Sequence, residues 1–145
     1  MLVKLKTIVE SEAAINAFSA LPLKANVSFR YRRVIKDLRE HIKDYNDNRL
    51  EVLKKLGTES KEHPGAYQLG DNLEAANREL TDLLYEEVEL ADTKIPLSVF
   101  AKSNGPITDD TEWFEFSSDH FAALDYLIED TNGDTSNITD IESEK

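Results

Sequence analysis

The chain has 145 residues, 40% of them apolar and 32% charged, with a formal net charge of −12. This composition suits a folded domain with a charge-rich surface. It has no cysteine, which excludes disulfides, thiolate nucleophiles and Cys-ligated zinc. No apolar run approaches the roughly 20 residues that span a bilayer, and the opening MLVKLKTIVESE has neither the long apolar stretch nor the small-residue cleavage site expected of a secretory leader.

In chain order, residues 2–9 alternate loosely, are rich in Leu, Val and Ile, and predict a strand with Lys4 and Lys6 on its wetter face. Ser11 and Glu12 mark a helix start, Ala14, Ile15, Phe18 and Leu21 give that helix one apolar face, and Pro22 ends it. From Val27 to Leu56 apolar residues recur at steps of mostly three, four or seven, so the pattern predicts a helix over 26–56 that stops before Gly57. Along it Lys36 with Glu40, Arg33 with Asp37 and Glu51 with Lys55 stand at the i,i+4 spacing of helical ion pairs.

Residues 57–70, with Pro64 and three glycines, predict a loop holding a short extended piece near Ala66–Leu69. Asp71 to Glu74 has the spacing of a capping box. It opens a second helix, 71–92, whose apolar face runs from Leu73 to Ala91 and should lie antiparallel to the first. Residues 94–101 and 112–116 predict short strands, the first placed at an edge by Pro96. Ser117 or Ser118 caps a last helix with Phe121, Leu124, Leu127 and Ile128 inward. From Thr131 onward the sequence is polar and acidic, and an unpacked tail is expected. The fold class is therefore α+β: an antiparallel long-helix pair, a small sheet of short strands and a C-terminal helix, in a single domain over 1–130 followed by a tail over 131–145.

Charge is divided along the chain. Residues 1–56 hold 12 Lys/Arg against 7 Asp/Glu, whereas residues 57–145 hold 5 against 22. Either the two parts pair with each other or the protein has two faces of opposite sign. Arg30, Arg32, Arg33, Lys36, Arg39 and Lys43 form the basic cluster, with Phe29 and Tyr31 available for stacking. The acidic excess elsewhere would repel a phosphate backbone, and this is not a basic domain, so direct nucleic-acid binding is disfavoured and pairing within the chain is the expectation. Glu79, Asp82, Glu86, Glu87 and Glu89 form an acidic stripe, three of them at i, i+3, i+7, which would give a rigid row of carboxylates on one helix face.

Asp130, Asn132 and Asp134 begin like a calcium loop, but Thr135 stands where the loop needs glycine and Ile141 where it needs glutamate. His41, His63 and His120 are widely separated in sequence and show no metal-ligand spacing. No phosphate-binding loop, dinucleotide fingerprint or nucleophile elbow is present, no nucleophile–base–orienter set can be assembled, and neither a cofactor nor a metal is expected. Trp113, Phe114 and Phe116 read as core, and a part-exposed Trp113 would instead read as an interface anchor.

The strand Leu2–Lys6, the corner Leu21-Pro-Leu-Lys24 and the basic helix from Arg30 to Arg39 together resemble a family of small acidic bacteriophage-encoded proteins of unknown function, over roughly the first 55 residues. The resemblance implies a phage or prophage product acting in the bacterial host cytoplasm or in the phage particle, and it supplies no catalytic residues.

The expected function is non-catalytic: binding and modulating a host or phage protein through charged helix faces, as an inhibitor or anti-defence factor does, without membrane association. The contact residues would be Glu79, Asp82, Glu86, Glu87 and Glu89 on one face, with Arg30, Arg33 and Arg39 organising the opposite one. The alternative is a virion or tail-assembly accessory that works as a homo-oligomer.

Overall fold

The structure, a computed structural model, describes residues 1–103 and 106–129. The elements are β1 (Leu2–Lys4), α1 (Leu5–Glu10), α2 (Glu12–Ser19), α3 (Ala25–Leu56), β2 (Thr58–Glu59), β3 (Tyr67–Gln68), α4 (Leu73–Leu84), β4 (Glu87–Glu89), β5 (Ile95–Pro96), α5 (Ser118–Ala123) and β6 (Ile128–Glu129). The fold is α+β, with a long helix packing on another helix, small sheets of short strands and a C-terminal helix. The chain divides into two compact units, residues 1–12 with 36–90 and residues 13–35 with 91–145, and α3 contributes to both.

In the first unit β1 and β4 pair antiparallel, with Val3 opposite Val88. Leu90 N donates to Met1 O and Leu5 N to Glu86 O, each at 2.8 Å, which extends the ladder at both ends. The strand predicted over 2–9 is shorter than expected. Only three residues pair, because β4 offers only three, and Leu5 and Ile8 then bury themselves from a helical turn instead. The break between α1 and α2 falls at Ser11, which is fully buried. Its hydroxyl donates to Ile8 O at 2.8 Å and so satisfies a polar group that burial would otherwise penalise.

The C-terminal half of α3 and α4 form the antiparallel pair. Gly57 ends α3 where the backbone comes close: a Cβ there would lie 2.8 Å from Leu53 O and 3.0 Å from Leu69 Cδ2. β2 and β3 form the small antiparallel hairpin that fills the predicted loop, turning through Gly65 at φ +92. The capping box does not form. Asn72 takes the N-cap position of α4, and its amide reaches back to donate to Leu56 O at 2.8 Å, covering an orphan carbonyl at the end of α3. α4 also stops at Leu84 rather than near residue 92. Glu86, Glu87 and Glu89 would sit unfavourably at a helix C-terminus, and Glu87-Val88-Glu89 has the strand period, which delivers Val88 to Val3.

The second unit is built on aromatic residues. Phe100 is fully buried, its ring centroid 5.6 Å from Phe18, 5.0 Å from Phe116 and 4.8 Å from Phe121, and Phe18 meets Tyr31 edge-on at 6.2 Å. Offset and tilted pairs of this kind add about 0.5–1.5 kcal/mol each beyond area burial. The predicted strands at 94–101 and 112–116 shrink to β5, a 3-10 turn over Leu97–Phe100 and a single bridge between Ala101 and Trp113. β5 instead pairs in parallel with β6, Ile95 opposite Ile128 and Pro96 opposite Glu129. Ser117 caps α5 as expected, accepting from His120 N at 3.1 Å. The tail over 131–145 and the calcium-like Asp130–Asp134 segment lie outside the described residues.

Candidate partner-binding faces

The basic cluster opens on the first turns of α3. Val27, Tyr31, Val34 and Leu38 form the inward stripe, and Tyr31 is only 3% exposed, so it is a core residue and not a stacking platform. Phe29 lies off that stripe and is 68% exposed, with the Arg32 guanidinium 5.2 Å from its ring centroid. At about 100° per residue, Arg33 falls about 40° to one side of Phe29 and Arg32 about 60° to the other, with Arg30 about 100° round from it. Arg39 falls about half a turn round from Arg30, so the three arginines do not make one face.

Arg30, Arg32 and Arg33 are exposed, and within their unit no described carboxylate stands within ion-pair distance. Lys55 pairs with Glu79 at 2.8 Å and the chain's first ammonium pairs with Glu89, each joining the basic part of the chain to the acidic part. The i,i+4 pairs predicted for Lys36–Glu40, Arg33–Asp37 and Glu51–Lys55 do not close. Lys43 with Asp47, at 2.9 Å, does. Such pairs stabilise an exposed helix by only about 0.2–0.5 kcal/mol, too little to hold every one of them together. The Asp47 carboxylate, by its hydrogen bond and its charge, raises the Lys43 pKa above the ordinary lysine value.

The acidic stripe is not a single helix face. Glu79 and Asp82 are exposed on α4, Glu86 follows the helix end, and Glu87 and Glu89 point outward from β4. Opposite these two stand Lys4 and Leu2 of β1, and Lys4 lies over the Tyr85 ring at 5.0 Å. Glu79 and Glu89 are already engaged, so Asp82, Glu86 and Glu87 are the carboxylates presented outward. A rigid row with duplex-like charge spacing would need an unbroken helix here, and the turn at Tyr85 interrupts it.

His120 contacts the Phe116 ring at 5.4 Å, and His41 is half-buried, so both have structural surroundings. Among the described residues no group of three His, Asp or Glu side chains is placed to hold a metal ion, and no helix is long and apolar enough to cross a membrane. Trp113 is 39% exposed, which departs from the core position read for it in the sequence. No family model matches the chain, and neither a curated protein nor a solved structure matches it.

Proposed function

We propose that this chain is a non-catalytic binding protein, encoded by a bacteriophage, that modulates a host or phage protein through its charged helix faces. The observation that carries this reading is the outer side of α3 at Phe29–Arg33. An aromatic ring there is 68% exposed, the Arg32 guanidinium lies over it, and two more exposed arginines, Arg30 and Arg33, stand on the same turn of helix without carboxylate partners in their unit. Arginine and exposed aromatic side chains together are what interface hot spots are made of, and leaving three cations unpaired gives no stability in return. The acidic side chains Asp82, Glu86 and Glu87 supply a second charged surface of opposite sign. The phage assignment rests on the resemblance of the first 55 residues.

The test is affinity capture from nuclease-treated host lysate with the intact chain, compared with Arg30→Glu/Arg33→Glu and with Asp82→Lys/Glu86→Lys. A protein retained by the intact chain and lost with either variant supports the reading. Retention of nucleic acid in its place contradicts it. The second reading, an oligomeric accessory of the phage particle, draws on Leu2 at 62%, Leu73 at 53% and Tyr85 at 51% exposure in the first unit. Those apolar groups would be covered by further copies, and a ring-sized mass in solution would favour that reading.

A further inference from the structure

The second unit carries a groove of about 320 Å³, at the small end of the range of about 300–1,000 Å³ that small-molecule sites occupy. Leu23, Val27, Val99, Ala101 and Phe114 line it, and each is half-buried, so each keeps apolar surface for an occupant. The sequence builds this wall from two places. Leu23 N donates to Leu21 O at 2.8 Å, a tight turn beside Pro22 that leads into the first turn of α3 and Val27. The 3-10 turn over Leu97–Phe100 supplies Val99, and the bridge between Ala101 and Trp113 supplies Ala101 and the neighbouring Phe114.

The same lining carries Lys24, Lys102 and Ser98, all exposed. Among the described residues no carboxylate stands within ion-pair distance of either lysine. Glu112 meets Lys102 through the main chain, where Lys102 N donates to Glu112 O at 2.8 Å. In a chain with 29 acidic residues and a net charge of −12, a small apolar groove that bears two ammonium groups and no carboxylate on its lining is complementary to an anion. An uncharged apolar molecule would leave both cations unmatched. A bare inorganic anion would leave the five apolar side chains wet. A polyanion such as nucleic acid is too large for the groove and is repelled by the rest of the chain.

We infer that this groove binds a small amphiphilic carboxylate, a molecule with a short aliphatic body and one ionised end. The body lies on Leu23, Val27, Val99, Ala101 and Phe114. The carboxylate accepts from the ammonium groups of Lys24 and Lys102 and from the Ser98 hydroxyl, which leaves both ends of the ligand in matching surroundings. The site is distinct from the Phe29–Arg33 face, because Val27 lies about 160° round α3 from Phe29, and it does not depend on that face being an interface.

The experiment titrates the full chain with sodium octanoate, below the concentration at which octanoate forms micelles, and follows backbone amide shifts by NMR. The Leu23, Val27, Val99, Ala101 and Phe114 amides should shift together and saturate, with a dissociation constant on the order of millimolar, the scale for a ligand of about ten non-hydrogen atoms. Octanamide, which keeps the body and loses the charge, should bind at least about tenfold more weakly, and added salt should weaken octanoate. Lys24→Glu/Lys102→Glu should also weaken octanoate at least about tenfold, whereas Arg30→Glu/Arg33→Glu should leave it within about twofold. Because both lysines are exposed, their variant should keep the parent melting temperature. Lys24→Gln/Lys102→Gln removes the charge without reversing it and supplies the same comparison if the reversed variant does not fold. Absence of saturable shifts at these amides would overturn the inference. So would equal binding of octanamide, shifts reproduced by inorganic phosphate alone, or full octanoate binding by the lysine variants.

Discussion

The ammonium of Lys55, in the last turn of α3, lies 2.8 Å from the carboxylate of Glu79 on α4. It joins the basic first part of the chain to the acidic second part across the helix pair, beside the Asn72 amide that caps Leu56 O. Both partners are partly exposed, the lysine at 59% and the glutamate at 43%, so solvent weakens the attraction. A double-mutant cycle of Lys55→Ala and Glu79→Ala, followed by urea denaturation, should give a coupling of about 0.2–1 kcal/mol that falls as salt is added. A coupling above about 2 kcal/mol would mean that the pair holds the helices together, which this geometry does not predict.

Packing, not charge, should dominate stability. Phe100 is fully buried among Phe18, Phe116 and Phe121. Phe100→Ala should cost about 3–5 kcal/mol, as large-to-small changes of buried aromatics do. Urea denaturation followed by circular dichroism measures it, and a loss below about 1 kcal/mol would show that the aromatic cluster is not the core of its unit.

Gly57 should resist substitution for a reason unconnected with backbone angle. An added Cβ would meet the Leu53 carbonyl oxygen at 2.8 Å, and a helix carbonyl cannot swing aside as a side-chain tip can. Gly57→Ala should therefore destabilise by about 1–3 kcal/mol, the usual range for overpacking, measured by thermal melting. At Gly65, where nothing lies within 4 Å, any cost comes from the left-handed φ alone.

Lys43 should titrate above the ordinary lysine range, because Asp47 both accepts its hydrogen bond and supplies the opposing charge. A raised pKa means the pair favours the folded state at pH values below the unfolded lysine pKa, and that this contribution disappears as pH climbs through the folded value. NMR titration of the Lys43 side chain should show the elevated value, and Asp47→Asn should bring it down. An unchanged Lys43 titration in Asp47→Asn would refute the assignment.

The long helix was legible because nine apolar positions between Val27 and Leu56 keep one period for eight turns, and packing follows that period. The strands were not, since each is two or three residues long and is defined by a partner far along the chain, as Val3 is by Val88. The end of α4 was hidden for a related reason: Glu86 to Glu89 fits either a helix face or a strand, and only β1 decides between them. At the candidate faces, sequence located the cations but not their neighbours. Tyr31 continues the Val27–Val34–Leu38 stripe, and that spacing alone could have withdrawn it as a stacking residue in favour of Phe29. Lys24 and Lys102, which line one groove of the second unit with Val27 and Phe114, gave no sequence signal, because 77 intervening residues separate them and only the fold brings them together.

The central claim is that the outer face of α3 at Phe29–Arg33 works on a partner and does not hold the chain together. Charge division alone suggests the reverse, with Arg33→Glu breaking internal pairs. The most direct measurement is the melting temperature of Arg30→Glu/Arg33→Glu set beside its recovery of the captured protein. Melting should stay within about 2 °C of the parent, as for exposed changes worth less than about 0.5 kcal/mol, while recovery falls at least about tenfold, equivalent to 1.4 kcal/mol of binding. A large drop in melting temperature with capture intact would contradict the account and return these arginines to an internal, structural role.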